Sequence, residues 1–152
     1  MSEIQDRIYD NAKDFARAMV QLGASIETDV EKLIRKVVID LYAAILKDWP
    51  RDTGRSLGSW NLSQGFIDES VLPEGYNDSS AECRATYQRA LDKAKESGID
   101  LDDVIWIVNN VEYAEALENG HSQQAPAGVV NKQLATFTRR LDEETRKYWW
   151  AA

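Results

Sequence analysis

Along the first part of the chain, apolar residues recur at spacings of three and four. Ile4, Ile8, Ala12, Phe15, Ala16, Met19 and Val20 fall on one stripe of an amphipathic helix. Gly23 interrupts the stripe, and Thr28 with Glu31 forms a capping box in which each side chain takes the other's free backbone N–H. A second helix is therefore expected from Thr28 to about Trp49. Its apolar set of Val30, Leu33, Ile34, Val37, Val38, Leu41, Tyr42, Ile45 and Leu46 is wide enough to face a core on more than one side. Roughly 22 residues at ~1.5 Å each make it about 33 Å long, the central helix of the domain. The stripe before it has two readings: it folds back at Gly23 as a hairpin, or residues 1–22 form an arm that docks on a neighbouring subunit.

Pro50 ends the second helix, because a residue before proline is pushed out of the α region. Asp52, Thr53 and Gly54 then suit a side-chain-supported turn. Ser59 to Ile67 alternates as a strand with Trp60, Leu62 and Phe66 on one face and a bulge at Gly65. Residues 68–80 form a polar loop of a length that usually carries a contact or function. Ser79 or Ser80 caps a thinly apolar helix, with Glu82 in its first turn and Gly98 at its end, expected on the outside of the domain. In that helix Cys83 reads as a small packing residue. Val104 to Val108 is a continuous β-branched and aromatic run, expected to be buried on both faces. Asn109 and Asn110 follow in a turn, Val111 to Glu118 as a short helix, and Val129 to Trp150 as a C-terminal helix. The fold expected is α+β, a single domain over 1–152: a long central helix packed on a small antiparallel sheet, with N-terminal, middle and C-terminal helices.

Charge and composition narrow the function. Eighteen basic against 26 acidic residues give a net charge of −8, which argues against gripping nucleic acid over a wide face. Apolar residues at 43% and aromatics at 9% are enough to fold without metal or disulfide. Cys83 is alone, the start MSEIQDRIYD lacks a signal-peptide pattern, and no apolar run approaches the ~20 residues that span a bilayer, so a soluble intracellular product with no membrane partner is expected.

The most specific stretch is Asn109 to Pro126. His121 sits near Glu118 and beside Ser122, yet neighbours in sequence do not supply the reach of a nucleophile and its base. One His and one Cys far apart give no zinc spacing, and no Gly-rich phosphate loop is present. Asp102 and Asp103 read as solvated acids at a turn. Arg51 and Arg55 read as carboxylate bridges more readily than as an anion site. No catalytic residue, metal or cofactor is expected. Tyr113, Ala114 and Leu117 give the short helix its aliphatic side, and Gly120 is its left-handed cap. The loop from His121 through Ser122 and Gln124 to Pro126 is a candidate subunit contact. Trp149 and Trp150 are costly to expose and are expected in an intrachain groove or an interface.

Two blocks together resemble a known family. Pro50, Asp52, Thr53, Gly54, Arg55, Ser59 and Trp60 form the first. Asn109, Asn110, Tyr113, Ala114, Leu117, Glu118, Gly120, Ser122, Gln124, Ala125, Pro126 and Gly128 form the second. In order and between the expected helices, they resemble the neck and tail-completion proteins of long-tailed bacteriophages, the family of the minor tail protein Z of phage lambda. The resemblance covers most of the chain from the second helix to Val130. It implies a non-enzymatic virion protein of the neck, made in the host bacterial cytoplasm: a homo-oligomeric, hexameric ring that joins head connector or stopper proteins to the tail terminator or tail tube. DNA would pass its channel without specific binding. A tail-terminator ring subunit and a soluble protein-binding module are the alternatives.

Overall fold

The computed structural model describes residues 2–99 and 103–151, with side chains from Lys13 to Lys147 except Glu27 and residues 100–102. Helix α1 runs without a break from Ser2 to Asp48, and the one-turn helix α2 spans Arg55–Gly58. Strand β1 is Trp60–Gln64, helix α3 Arg84–Glu96, strand β2 Ile105–Asn109, helix α4 Ala114–Glu118 and helix α5 Val130–Ala151. The two strands pair antiparallel, with Trp60 opposite Asn109 and Gln64 opposite Ile105. The fold is thus α+β, a long helix with a small sheet and further helices packed on its C-terminal half.

That half of α1 supplies the core. Tyr42, Ile45 and Leu46 are almost completely buried, beside Leu57 of α2 and Val129 just before α5. Each large apolar side chain so enclosed stabilises by about 1.5–3 kcal/mol. Trp49, just past the helix, meets Trp60 of β1 edge to face with ring centroids 5.0 Å apart, and its indole N–H donates to the Ser56 hydroxyl at 2.8 Å. The Tyr42 hydroxyl donates to the Trp60 carbonyl at 2.9 Å, and burial pushes its phenol well above the ordinary range. Helix α5 runs back along α1: Gln133 donates to Asp48 at 2.7 Å, and Glu144 reaches Lys36 at 3.3 Å. Arg35 donates to the Lys95 carbonyl at 2.7 Å and ties α3 to the same helix.

Several expectations change. Gly23 neither breaks nor folds α1, so the hairpin is excluded; a Cβ there would meet nothing, and one glycine costs a helix only about 0.5–1 kcal/mol relative to alanine. Thr28 is mid-helix, its hydroxyl donating back to the Ala24 carbonyl at 3.0 Å. Gly65 ends β1 with a φ of 77° and leaves Phe66 63% exposed, outside the strand. The run at 104–108 is not buried on both faces: Val104 is 58% and Trp106 37% exposed, because a two-stranded sheet with helices on one side leaves part of its other side open. Helix α3 starts at Arg84, later than expected, after a 3-10 turn at Ala81–Cys83 in which Glu82 and Cys83 take left-handed φ values of 51° and 52°. It is also less peripheral than expected, burying Thr86, Ala90, Leu91 and Ala94.

Candidate functional site

The turn after α1 is held by its own side chains. Gly54 has a φ of 84°, and a Cβ on it would press within 3.2 Å of the Thr86 hydroxyl, so glycine serves both conformation and fit. The Thr53 hydroxyl accepts the Arg55 N–H at 3.3 Å, and the Ser59 hydroxyl donates to the Arg55 carbonyl at 2.7 Å across α2. The Arg55 guanidinium grips both carboxylate oxygens of Glu112, at 2.7 and 3.3 Å, and its Nε donates to the Leu72 carbonyl at 2.9 Å. This pairing raises the arginine's affinity for its proton and lowers that of Glu112. The carboxylate-bridge reading of Arg55 is the one observed. The same guanidinium lies 5.9 Å from the centre of the Tyr113 ring.

The second block is built as closely. The Asn109 amide donates to the Ser56 carbonyl at 2.9 Å while its oxygen accepts the Val111 N–H at 3.1 Å, turning the chain out of β2; Asn110 is exposed. Helix α4 ends in a Schellman motif: Gly120 N–H donates to Leu117 and His121 N–H to Ala116, both at 3.1 Å, with Gly120 at a φ of 87°. The expected left-handed glycine cap is there. Glu118 does what the sequence did not announce. Its carboxylate accepts the backbone N–H groups of Val129, Val130 and Asn131 at 2.8, 2.9 and 2.9 Å and so caps α5 from a distance. Gly128, with a φ of 75°, makes room, because a Cβ there would lie 2.3 Å from the Glu118 carbonyl.

The two blocks meet at Gln124. Its side-chain oxygen accepts the Arg51 N–H and its amide donates to the Arg51 carbonyl, both at 2.8 Å, a two-point grip on main chain. Clefts open on both sides of this clamp. One, of about 430 Å³, is lined by Pro50, Asp52, Thr53, Tyr113, Leu117, His121 and Ser122 among others. The other, of about 880 Å³, takes in Trp49, Tyr87, Ala125, Pro126, Lys47 and Lys132. Arg51 spans the clamp, stacking 4.9 Å over the Tyr87 ring and donating to the Glu82 carbonyl at 2.9 Å.

The 68–80 loop is anchored rather than free. The Asn61 amide donates to the carbonyls of Asp68 and Ser70, and Leu72 N–H donates to the Ser59 hydroxyl at 2.9 Å. Asp78 is the hub. Its N–H donates to the Thr53 carbonyl at 2.8 Å, and its carboxylate accepts from the hydroxyls and N–H groups of Ser80 and Thr86. Those hydroxyl bonds, with the backbone ones behind them, hold its carboxyl far below the usual range. Arg89 donates to the Tyr76 hydroxyl at 2.7 Å, and Tyr76 bonds Thr86 at 2.7 Å, so a polar chain runs from α3 to Asp78.

His121 is exposed at the cleft rim, and the Ser122 hydroxyl accepts the Gln124 N–H at 3.2 Å in a local turn. Cys83 is buried, which raises its thiol pKa. Among the described residues no group of His, Cys, Asp and Glu is placed to hold a metal ion. Pro126 is exposed on the second cleft. The side chains of Trp149 and Trp150, and Asp102, lie outside the described residues. No protein-family model, curated protein or solved structure matches this chain.

Proposed function

We propose that the chain is a structural protein of a bacteriophage virion, a neck or tail-completion subunit that joins head connector to tail as a ring around the DNA channel. The observation that carries this reading is the Gln124 grip on Arg51, which ties the two family-like blocks, separate in sequence, into one surface. Polar side chains of the second block are spent on holding backbone: Asn109, Glu118 and Gln124 all bond main chain. Such a framework presents shape and clefts to another protein. A net charge of −8 suits a ring whose channel lets DNA slide, since attractive contacts would retain it. Among the described residues no helix is long and apolar enough to cross a membrane.

The test is mass measurement of the purified chain alone, with its head connector and with its tail tube. A closed oligomer that captures either component is expected. A monomer that ignores both overturns the proposal and favours a protein-binding module, and tight binding of duplex DNA at physiological salt refutes the sliding channel.

A further inference from the structure

Every described side chain from Lys13 to Ile26 is exposed, including Phe15 at 68% and Val20 at 72%. The rest of the described chain does not cover this segment. The pairs Gln133–Asp48 and Glu144–Lys36 put α5 and α1 level where residue numbers sum to about 180, so Ala151 falls level with about residue 29. Helix α5 ends short of Ile26.

The pattern of the segment names its cover. Ala12, Phe15, Met19, Leu22 and Ile26 are spaced three, four, three and four, the 3.5-residue period of a coiled-coil seam. The positions flanking the seam are Ala16, Ala18, Gly23 and Ser25, small and uncharged, which lets a second helix backbone approach. Lys13, Asp14 and Arg17 lie on the far side of the wheel. Residues 12–26 thus carry two positive charges against one negative in a chain of net charge −8, so like segments meet without the repulsion of the acidic remainder. Large seam residues beside small flanks are self-complementary.

We infer that the N-terminal arm of α1 is an oligomerisation helix whose 12–26 seam packs in parallel against the same seam of a second copy of this chain. The parallel sense rests on the seam itself, with Ile26 at an a position and Leu22 at a d position as in two-stranded parallel coils. Like seams then meet across a two-fold axis, a contact separate from the one between unlike surfaces that closes a ring.

The test uses the full chain with Cys83→Ser. Under mild oxidation, Leu22→Cys and Ile26→Cys are expected to give linked dimers, while Arg17→Cys and Ala24→Cys, on the outer face, are not. Equal linking at both sets, or none at the seam, overturns the inference. The double variant Met19→Glu/Leu22→Glu is expected to weaken self-association by about a hundredfold or more, with unchanged thermal unfolding of the α1–α5 core. Retention of the parent's mass by that variant overturns the inference. A chain that joins the neck without seam linking sinks the arm and spares the virion role; a seam-linked chain that ignores connector and tube does the reverse.

Discussion

Replacing Glu118 tests the link between the contact loop and the C-terminal helix. Its carboxylate serves three N–H groups at the start of α5, two of them on Val129, which is 1% exposed, and Val130. Loss of an N-cap costs about 0.5–2 kcal/mol, and each buried donor left without a partner about 1–3 kcal/mol. Asn131 N–H is at the exposed side and finds water. Glu118→Ala should therefore destabilise by roughly 2–4 kcal/mol, a fall in Tm of about 4–16 °C for a domain of this size. Glu118→Gln keeps an acceptor but loses the charge, and should fall about halfway between. Thermal unfolding by circular dichroism gives the totals, and amide hydrogen exchange at Val129 to Asn131 gives the location, where protection should drop first. If both variants stay within about 0.5 kcal/mol of the parent, the carboxylate is not what starts α5, and the reasoning fails.

Gly128→Ala should cost about 2–4 kcal/mol, since it combines a left-handed φ with a Cβ 2.3 Å from the Glu118 carbonyl; equilibrium denaturation with little change would show that the loop relaxes freely. Gly23→Ala should add helix stability of about 0.5–1 kcal/mol, read as slower exchange of the arm's amides, because its Cβ would point into open space; faster exchange would contradict a continuous α1. Asp78 has a folded pKa below its unfolded value of about 3.9, so its contribution is present above that value and is lost as pH falls through the folded one. Asp78→Asn should therefore be less stable than the parent at neutral pH, with the gap closing under acid; a gap independent of pH in denaturant titrations would refute the role of the charge. His121→Ala should leave stability within about 0.5 kcal/mol, and a particle-assembly assay that it abolishes while the ring still forms and docks would reopen a chemical role for the imidazole.

The legible parts of this fold were those fixed by local chemistry. Pro50 and Gly120 act through their own backbones and Asn109 through its side chain on the N–H two residues ahead, and each acts as its residue type dictates. The apolar face of α1 from Val37 to Leu46 was equally plain, because burial and helical period coincide there. What stayed hidden depended on distant partners. Glu118 looks like a helix-terminal acid until α5 folds back beneath it, Gln124 like a solvated amide until Arg51 arrives, and nothing near Glu112 announces Arg55. Gly23 misled for a related reason: its local preference is weak beside the cooperativity of a 47-residue helix. The run from Val104 to Val108 misled because β propensity says nothing of how many layers cover a sheet.

The clamp at Gln124 also sets how freely two positions can vary. It reads only the N–H and carbonyl of residue 51, which every residue but proline offers, so the clamp tolerates almost any side chain there. Position 124 is the opposite. It needs one donor and one acceptor on a stem of fixed length: glutamate would set an oxygen against the Arg51 carbonyl, and asparagine would fall a methylene short. A library randomised at both positions should return a single letter at 124, while selection at 51 should come from the reach of its guanidinium to the Glu82 carbonyl and the Tyr87 ring and not from the clamp.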